Sequence, residues 1–128
     1  MPRLEEVSAE DIASIERAAR DYIEGYLTGD AERMADCLHL ELTKRSTERD
    51  SSGAWTIIDA MNRAQMVEVA AGGRGARWAK DYTLIVHDAF RNIATVTVDS
   101  AGYVDYLHIG RFEDRWRIVN VLWEPLER

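Results

Sequence analysis

The chain has 128 residues, 46% of them hydrophobic and 30% charged, which predicts one globular domain spanning residues 1–128. Its formal net charge of −7 disfavours nucleic acid or an anionic membrane surface as a main partner. The single cysteine, Cys37, excludes an internal disulfide, and neither a signal peptide nor a membrane-spanning stretch is recognisable, so we expect a cytoplasmic protein.

The first third of the chain predicts two helices. Ser8 can cap a long amphipathic helix, in which apolar residues recur at helical spacing between Ile12 and Tyr26. Thr28-Gly29 ends this helix, because glycine suits the left-handed conformation found after a helix C-terminus. Asp30 can cap a short second helix with His39 at its exit.

The middle of the chain gives weaker signals. The charged segment from Glu41 to Arg49 has no clear periodicity, and Ser51-Ser52-Gly53 predicts a loop. A short strand is predicted at Trp55–Ile58. Asn62 can cap a third helix that ends at Gly72-Gly73.

From Asp81 onward the hydrophobic period changes to two, which is typical of strands. Strands are predicted at residues 82–86 and 93–98, followed by a closing hairpin with Glu113-Asp114 as its turn. Helices followed by a meander of about four antiparallel strands predict an α+β fold.

The closing hairpin carries apolar side chains on both faces. If strict pairing continues from the turn, the face towards the helices holds Tyr103, Asp105, Leu107, Ile109, Trp116, Ile118, Asn120 and Leu122. The outer face then holds Val104, Tyr106, His108, Phe112, Val119, Val121 and Trp123. We therefore predict a cavity wall on the first face.

An exposed apolar sheet face usually marks an interface. We predict a homodimer formed through this outer face, with Val104, Tyr106, Val119, Val121 and Trp123 in contact. In the alternative, residues 40–58 fold back over the same face within the chain.

Several segments together resemble a known superfamily. They are Asp21-Tyr22-Ile23-Glu24-Gly25, Thr28-Gly29-Asp30, Lys44-Arg45, Gln65-Met66-Val67, Tyr103-Val104-Asp105-Tyr106-Leu107 and Arg115-Trp116-Arg117-Ile118-Val119-Asn120-Val121-Leu122-Trp123. The chain resembles the nuclear transport factor 2-like superfamily over nearly its whole length, in the branch labelled putative lumazine-binding. This resemblance implies a cystatin-like cone, in which a curved antiparallel sheet wraps around helices and leaves a pocket at the open end.

Asp105 and Asn120 are the strongest candidates for a polar site. In the predicted register they are diagonal neighbours on the cavity face, close enough to contact one ligand. An aspartate in an apolar cavity can act as acid or base, which is how ketosteroid isomerases and scytalone dehydratases of the superfamily work. In the alternative, Asp105 accepts structural hydrogen bonds from Asn120 or Tyr22.

Other candidate ligand contacts are aromatic. Tyr22, Tyr26, Tyr103 and Trp116 could stack on a flat ligand, or could be ordinary core residues. His39 is expected near the pocket mouth. The histidines have no metal-ligand spacing, so no metal and no cofactor are predicted.

These patterns leave three functions open. The first is binding of a small molecule, such as a flat lumazine-like heteroaromatic, through Tyr22, Tyr103, Asp105 and Asn120. The second is a lyase or isomerase with Asp105 as its acid–base. The third is a non-catalytic dimerisation domain, because one fold can host all three.

Overall fold

The computed structural model describes residues 7–127. The first six residues, on which the prediction of no signal peptide rests, lie outside this range. The helices are α1 (Ala9–Thr28), α2 (Ala31–Cys37), α3 (Arg63–Ala71) and a 3-10 helix (Arg74–Arg77). The strands are β1 (Leu38–Arg49), β2 (Trp55–Met61), β3 (Tyr82–Phe90), β4 (Ile93–Ser100), β5 (Tyr103–Phe112) and β6 (Arg115–Pro125).

The predicted helix caps are confirmed. The Ser8 side chain accepts the Asp11 N–H, and α1 ends where Gly29 takes the left-handed conformation at φ 74°. Asp30 accepts the Arg33 N–H at the start of α2. Asn62 forms a reciprocal capping box with Gln65 at the start of α3. Each cap satisfies helix N–H groups that would otherwise have no partner.

Within residues 7–127 the strands form one six-stranded sheet in the order β2-β1-β6-β5-β4-β3. Neighbouring strands are antiparallel except β1 and β6, which run parallel. The sheet is curved and unclosed, and its inner face packs on α1. Tyr22 of α1, Leu107 of β5 and Ile118 of β6 belong to this core, and each is at most 2% exposed. The α+β prediction is confirmed, but the sheet has two more strands than the predicted meander.

One of those additional strands comes from the charged segment without clear periodicity, and the other confirms the short strand predicted at Trp55–Ile58. Residues Leu38–Arg49 form β1 beside β6, and Trp55–Met61 form β2 at the sheet edge. The segment therefore extends the sheet sideways. The alternative prediction, that residues 40–58 fold back over the outer face, is wrong.

The predicted register of the closing hairpin is correct only near its turn. Phe112 pairs with Arg115 and Ile109 with Ile118, but the next pair is His108 with Asn120, which leaves Val119 as an extra residue. This bulge shifts all later pairs by one position, and a one-residue shift turns side chains to the opposite face.

The bulge corrects four predicted side-chain directions. Val121 and Trp123 lie on the inner face, where Val121 is fully buried. Asn120 and Leu122 lie on the outer face, where Leu122 is 45% exposed. The predicted dimer surface therefore loses Val121 and Trp123, and the predicted cavity wall loses Asn120 and Leu122.

Candidate functional site

A cavity of about 420 Å³ opens between the helices and the inner face of the sheet. Its volume lies within the range typical of small-molecule sites. It is lined by Tyr22, Ile23 and Tyr26 of α1, Lys44 of β1, Met61 of β2, Met66 and Val69 of α3, Arg74 and Arg77 of the 3-10 helix, Tyr103 and Asp105 of β5, and Trp123 of β6.

Three polar side chains in this cavity form a hydrogen-bonded chain. The Tyr22 hydroxyl donates to Asp105 Oδ2 at 2.6 Å, and Lys44 Nζ donates to the Tyr22 oxygen at 2.6 Å. Lys44 Nζ lies 3.8 Å from Asp105 Oδ2, within ion-pair range but too far for a direct hydrogen bond. The Tyr22 hydroxyl therefore links an amine to a carboxyl group.

This Lys44–Tyr22–Asp105 network is nearly buried. The Lys44 side chain is 11% exposed, and that of Asp105 is 6% exposed. Desolvation raises the pKa of Asp105 above its usual value, although Lys44 and Tyr22 partly oppose this. Desolvation also lowers the pKa of Lys44, although Asp105 partly opposes it. Burial and the neighbouring Asp105 raise the pKa of Tyr22 well above its usual value.

An aromatic cluster forms another part of the cavity. The ring of Tyr103 makes edge-to-face contacts with Tyr26, Trp78 and Trp123, at centroid distances of 6.0, 5.4 and 5.2 Å. Trp123 also carries a buried indole N–H with no hydrogen-bond acceptor within residues 7–127. A buried donor of this kind favours a ligand that supplies an acceptor.

The cavity also has a cationic border. Arg74 and Arg77 belong to the 3-10 helix and line the cavity as exposed residues. The Arg77 guanidinium lies 4.7 Å from the centre of the Trp78 ring, which holds the charge against the aromatic cluster. The border thus carries positive charge, although the whole chain has a net charge of −7.

The structure brings together four of the residues predicted as ligand contacts. Tyr22, Tyr26, Tyr103 and Asp105 all line the cavity. They come from two elements, α1 and β5, that are distant in sequence but cross at this point.

Three predicted contacts lie elsewhere. His39 belongs to β1, and its ring packs on Phe112 with centroids 4.3 Å apart. Trp116 is buried and donates its indole N–H to Asp11 at 3.0 Å. The Asn120 amide lies on the outer face, 3.2 Å from His108 Nδ1. Asn120 lies outside the cavity because the bulge turns it to the outer face. His39 lies outside the cavity because α2 ends early, at Cys37.

Sequence reasoning missed Lys44 and Trp123 as cavity residues. Lys44 stands in a charged run that is typical of a solvent-exposed segment, and strict pairing from the turn predicts Trp123 on the outer face. Pairing of Lys44 with Val121 and of Asp105 with Trp123 sets both residues on the inner face. The one sequence signal that pointed to Lys44 was the presence of Lys44-Arg45 among the segments that resemble the family.

Fold and cavity define this protein as a member of the nuclear transport factor 2-like class. A family model described as "Putative lumazine-binding" matches residues 10–124. The chain belongs to this family. No curated protein gives a significant match.

Solved structures share the fold at low sequence identity. A protein of unknown function from Shewanella baltica OS155, described as nuclear transport factor 2-like, has a TM-score of 0.67 and 14% identity, covering 95% of this chain and 98% of its own. A protein of unknown function with a cystatin-like fold from Nostoc punctiforme PCC 73102 has a TM-score of 0.68 and 12% identity, covering 95% of this chain and 96% of its own.

A third similar structure, from Exiguobacterium sibiricum 255-15, is described as a putative Ca/calmodulin-dependent kinase II association domain. Its TM-score is 0.64 at 12% identity, covering 94% of this chain and 96% of its own. At these identities the three likenesses establish the fold alone. Within residues 7–127, no helix has the length and apolar character that a membrane crossing requires.

Proposed function

We propose that this protein binds a small molecule in the cavity between α1 and the sheet. The observation that carries this proposal is the nearly buried Lys44–Tyr22–Asp105 network on the cavity wall. Burying an amine and a carboxyl group costs free energy, and ionisable groups with shifted pKa values in a cavity mark a candidate functional site.

The lining favours a flat heteroaromatic ligand of the lumazine kind. Tyr26, Tyr103 and Trp123 supply ring surfaces, and the Trp123 indole N–H lacks an acceptor within residues 7–127. The Lys44 amine supplies a hydrogen-bond donor, and the two border arginines supply positive charge, for a carbonyl-rich or anionic ring. The family description is consistent with this ligand class.

A thermal-shift screen with lumazine, flavin precursors and cyclic ketones tests this proposal. We expect lumazine-like compounds to raise the melting temperature of the wild type, because a ligand that binds only the folded state stabilises it. Tyr103→Ala should abolish the shift. Tyr106→Ala is the matched control, because Tyr106 lies on the same strand but is 57% exposed on the outer face. Equal shifts in both variants would contradict the proposal.

A specific observation also supports a second candidate, a lyase or isomerase. Desolvation raises the pKa of Asp105. This carboxyl lines the cavity and accepts a hydrogen bond from the Tyr22 hydroxyl, so it is placed to exchange a proton with a ligand. Asp105→Asn should then abolish turnover of a bound substrate while ligand affinity persists, both measured at a temperature at which the variant is folded. Unchanged turnover would eliminate this candidate.

We also propose that the chain forms a homodimer through its outer sheet face. Ile85, Thr97, Tyr106 and Leu122 pair side by side across β3, β4, β5 and β6. Ile85, Tyr106 and Leu122 are 50%, 57% and 45% exposed, so a second copy would remove apolar surface from water. The likeness to a described association domain supports assembly, and dimerisation alone remains the third candidate function.

Sedimentation of the wild type and of two variants measures whether the chain is a monomer or a dimer. Leu122→Asp should give monomers, because a carboxylate buried in an apolar interface loses its hydration. Leu40→Asp is the matched control, since Leu40 is 71% exposed and lies outside this row. A wild-type chain that sediments as a monomer, or a dimeric Leu122→Asp variant, would contradict the proposal.

A further inference from the structure

Lysine is rare in this chain. Of the 16 lysine and arginine side chains, 14 are arginine, and the two lysines are Lys44 and Lys80. One of these two lines the cavity. Arginine binds anions as well as lysine does, but a guanidinium stays protonated in proteins, whereas a lysine amine can lose its proton and react.

The surroundings of Lys44 differ from those of Lys80. Lys44 Nζ is held by the Tyr22 hydroxyl at 2.6 Å and lies against the rings of Tyr22 and Trp123, at 5.2 and 5.4 Å from their centroids. Lys80 is exposed and donates to backbone carbonyls around the 3-10 helix, including those of Ala76 and Trp78. Only Lys44 combines burial, a cavity and an adjacent proton donor.

We propose that Lys44 captures carbonyl compounds in the cavity by forming an imine through Nζ. The ligand class is an aromatic aldehyde or ketone, since the lining offers ring surfaces and a volume of about 420 Å³. This inference rests on the proposed function, because a small molecule must be able to enter the cavity.

The neighbours of Lys44 supply the proton transfers that imine formation needs. The neutral amine attacks the carbonyl carbon, and a C–N bond forms as the carbonyl π bond breaks. One proton of the nitrogen passes through the Tyr22 hydroxyl to Asp105 and from there to the carbonyl oxygen, which becomes a hydroxyl. The second proton of the nitrogen follows the same route to this hydroxyl, and the C–O bond breaks as the C=N bond forms. The hydroxyl leaves as water, so that one amine and one carbonyl give one imine and one water.

The electrostatics of the cavity favour the reactive forms. Desolvation lowers the pKa of Lys44, which increases the neutral fraction of the amine. Desolvation raises the pKa of Asp105, which lets the carboxyl hold the proton that later leaves with water. A lysine desolvated in an apolar pocket is a recognised form of activated nucleophile.

Reductive trapping tests the inference. The wild-type protein is incubated with benzaldehyde and sodium cyanoborohydride, which reduces an imine to a stable benzylamine, and the adducts are located by peptide mass spectrometry. We expect Lys44 to be labelled about tenfold faster than Lys80, which serves as the internal control. Lys44→Arg should remove this fast adduct, and Lys80→Arg should keep it. The comparison within the wild type stands even if the Lys44 variant misfolds.

Lumazine separates this inference from the proposed function. If it raises the melting temperature and slows labelling of Lys44, both are supported. Fast labelling of Lys44 without any lumazine effect supports the imine and contradicts the heteroaromatic ligand. A lumazine shift with labelling of Lys44 no faster than that of Lys80 overturns the imine and leaves the binding function standing. If lumazine gives no shift and Lys44 is labelled no faster than Lys80, both the imine and the proposed binding function are overturned.

Discussion

Replacement of Gly75 by alanine is expected to lower the free energy of unfolding by about 3 kcal/mol. Gly75 belongs to the 3-10 helix that packs on α1, and a Cβ atom there would overlap the carbonyl oxygen of Tyr26. It would also lie 2.9 Å from Tyr26 Cδ2. A backbone carbonyl inside a helix cannot move aside, so the 3-10 helix must separate from α1.

Urea unfolding measures this loss, and Gly73→Ala is the matched control. Gly73 has a φ of 72°, so alanine there is strained, but nothing lies within 4 Å of its added Cβ. Its expected cost is about 1 kcal/mol, from backbone strain alone. The steric explanation is wrong if Gly75→Ala costs no more than Gly73→Ala. Since Arg74 and Arg77 flank Gly75, the same substitution should also weaken anion attraction at the cavity border.

The elements that could be predicted from the sequence are those fixed by local chemistry. Ser8, Asp30 and Asn62 cap the helices where their spacing predicts, because a cap is a contact between residues two or three positions apart. The Glu113-Asp114 turn is likewise local, and the first pairs beyond it follow from the turn.

The bulge at Val119 could not be predicted because both registers bury apolar side chains. Ile118, Val119, Val121, Leu122 and Trp123 place large apolar groups at odd and even positions alike. Hydrophobic alternation therefore does not distinguish the two faces. The true register is set by contacts with α1 and with β1, which are distant in sequence.

Lys44 was missed for a related reason. It lies between Thr43 and Arg45 in a polar segment, and only the parallel pairing of β1 with β6 turns it towards Asp105. A parallel pair between residues 77 to 80 positions apart leaves no local signal. Asp105 itself was identified because it interrupts an apolar strand.

Removal of either Lys44 or Asp105 from the cavity network is expected to lower the free energy of unfolding strongly. The size of this loss should depend on pH. Lys44→Met leaves the buried carboxyl of Asp105 without its cation, and Asp105→Asn leaves the amine of Lys44 without its anion. Breaking a buried pair by removing one partner costs about 3 kcal/mol or more. In both variants the Tyr22 hydroxyl still has a partner for its hydrogen bond.

In Lys44→Met the loss of unfolding free energy should grow as the pH rises. The folded-state pKa of Asp105 is already above the unfolded value of 3.8, and it rises further when the opposing effect of Lys44 is removed. Between 3.8 and the folded-state pKa, the folded protein holds a proton that the unfolded chain has released. Stability therefore falls with rising pH across that interval, by up to about 1.4 kcal/mol per pH unit.

In Asp105→Asn the slope should have the opposite sign. The folded-state pKa of Lys44 lies below its unfolded value of 10.5, and it falls further without Asp105. Between the folded-state pKa and 10.5, the unfolded chain holds a proton that the folded protein lacks. Stability therefore rises with pH across that interval.

Urea unfolding of each variant and the wild type, compared at the same pH values, measures these slopes. Taking differences from the wild type cancels the titration of distant groups. The double variant Lys44→Met/Asp105→Leu removes both ionisable groups, so its difference from wild type should depend on pH much less than that of either single variant. If the unfolding free energies of the two single variants change with pH in parallel, Lys44 and Asp105 do not share a buried, low-dielectric site. Diverging curves would establish the coupling on which both the binding and the imine chemistry depend.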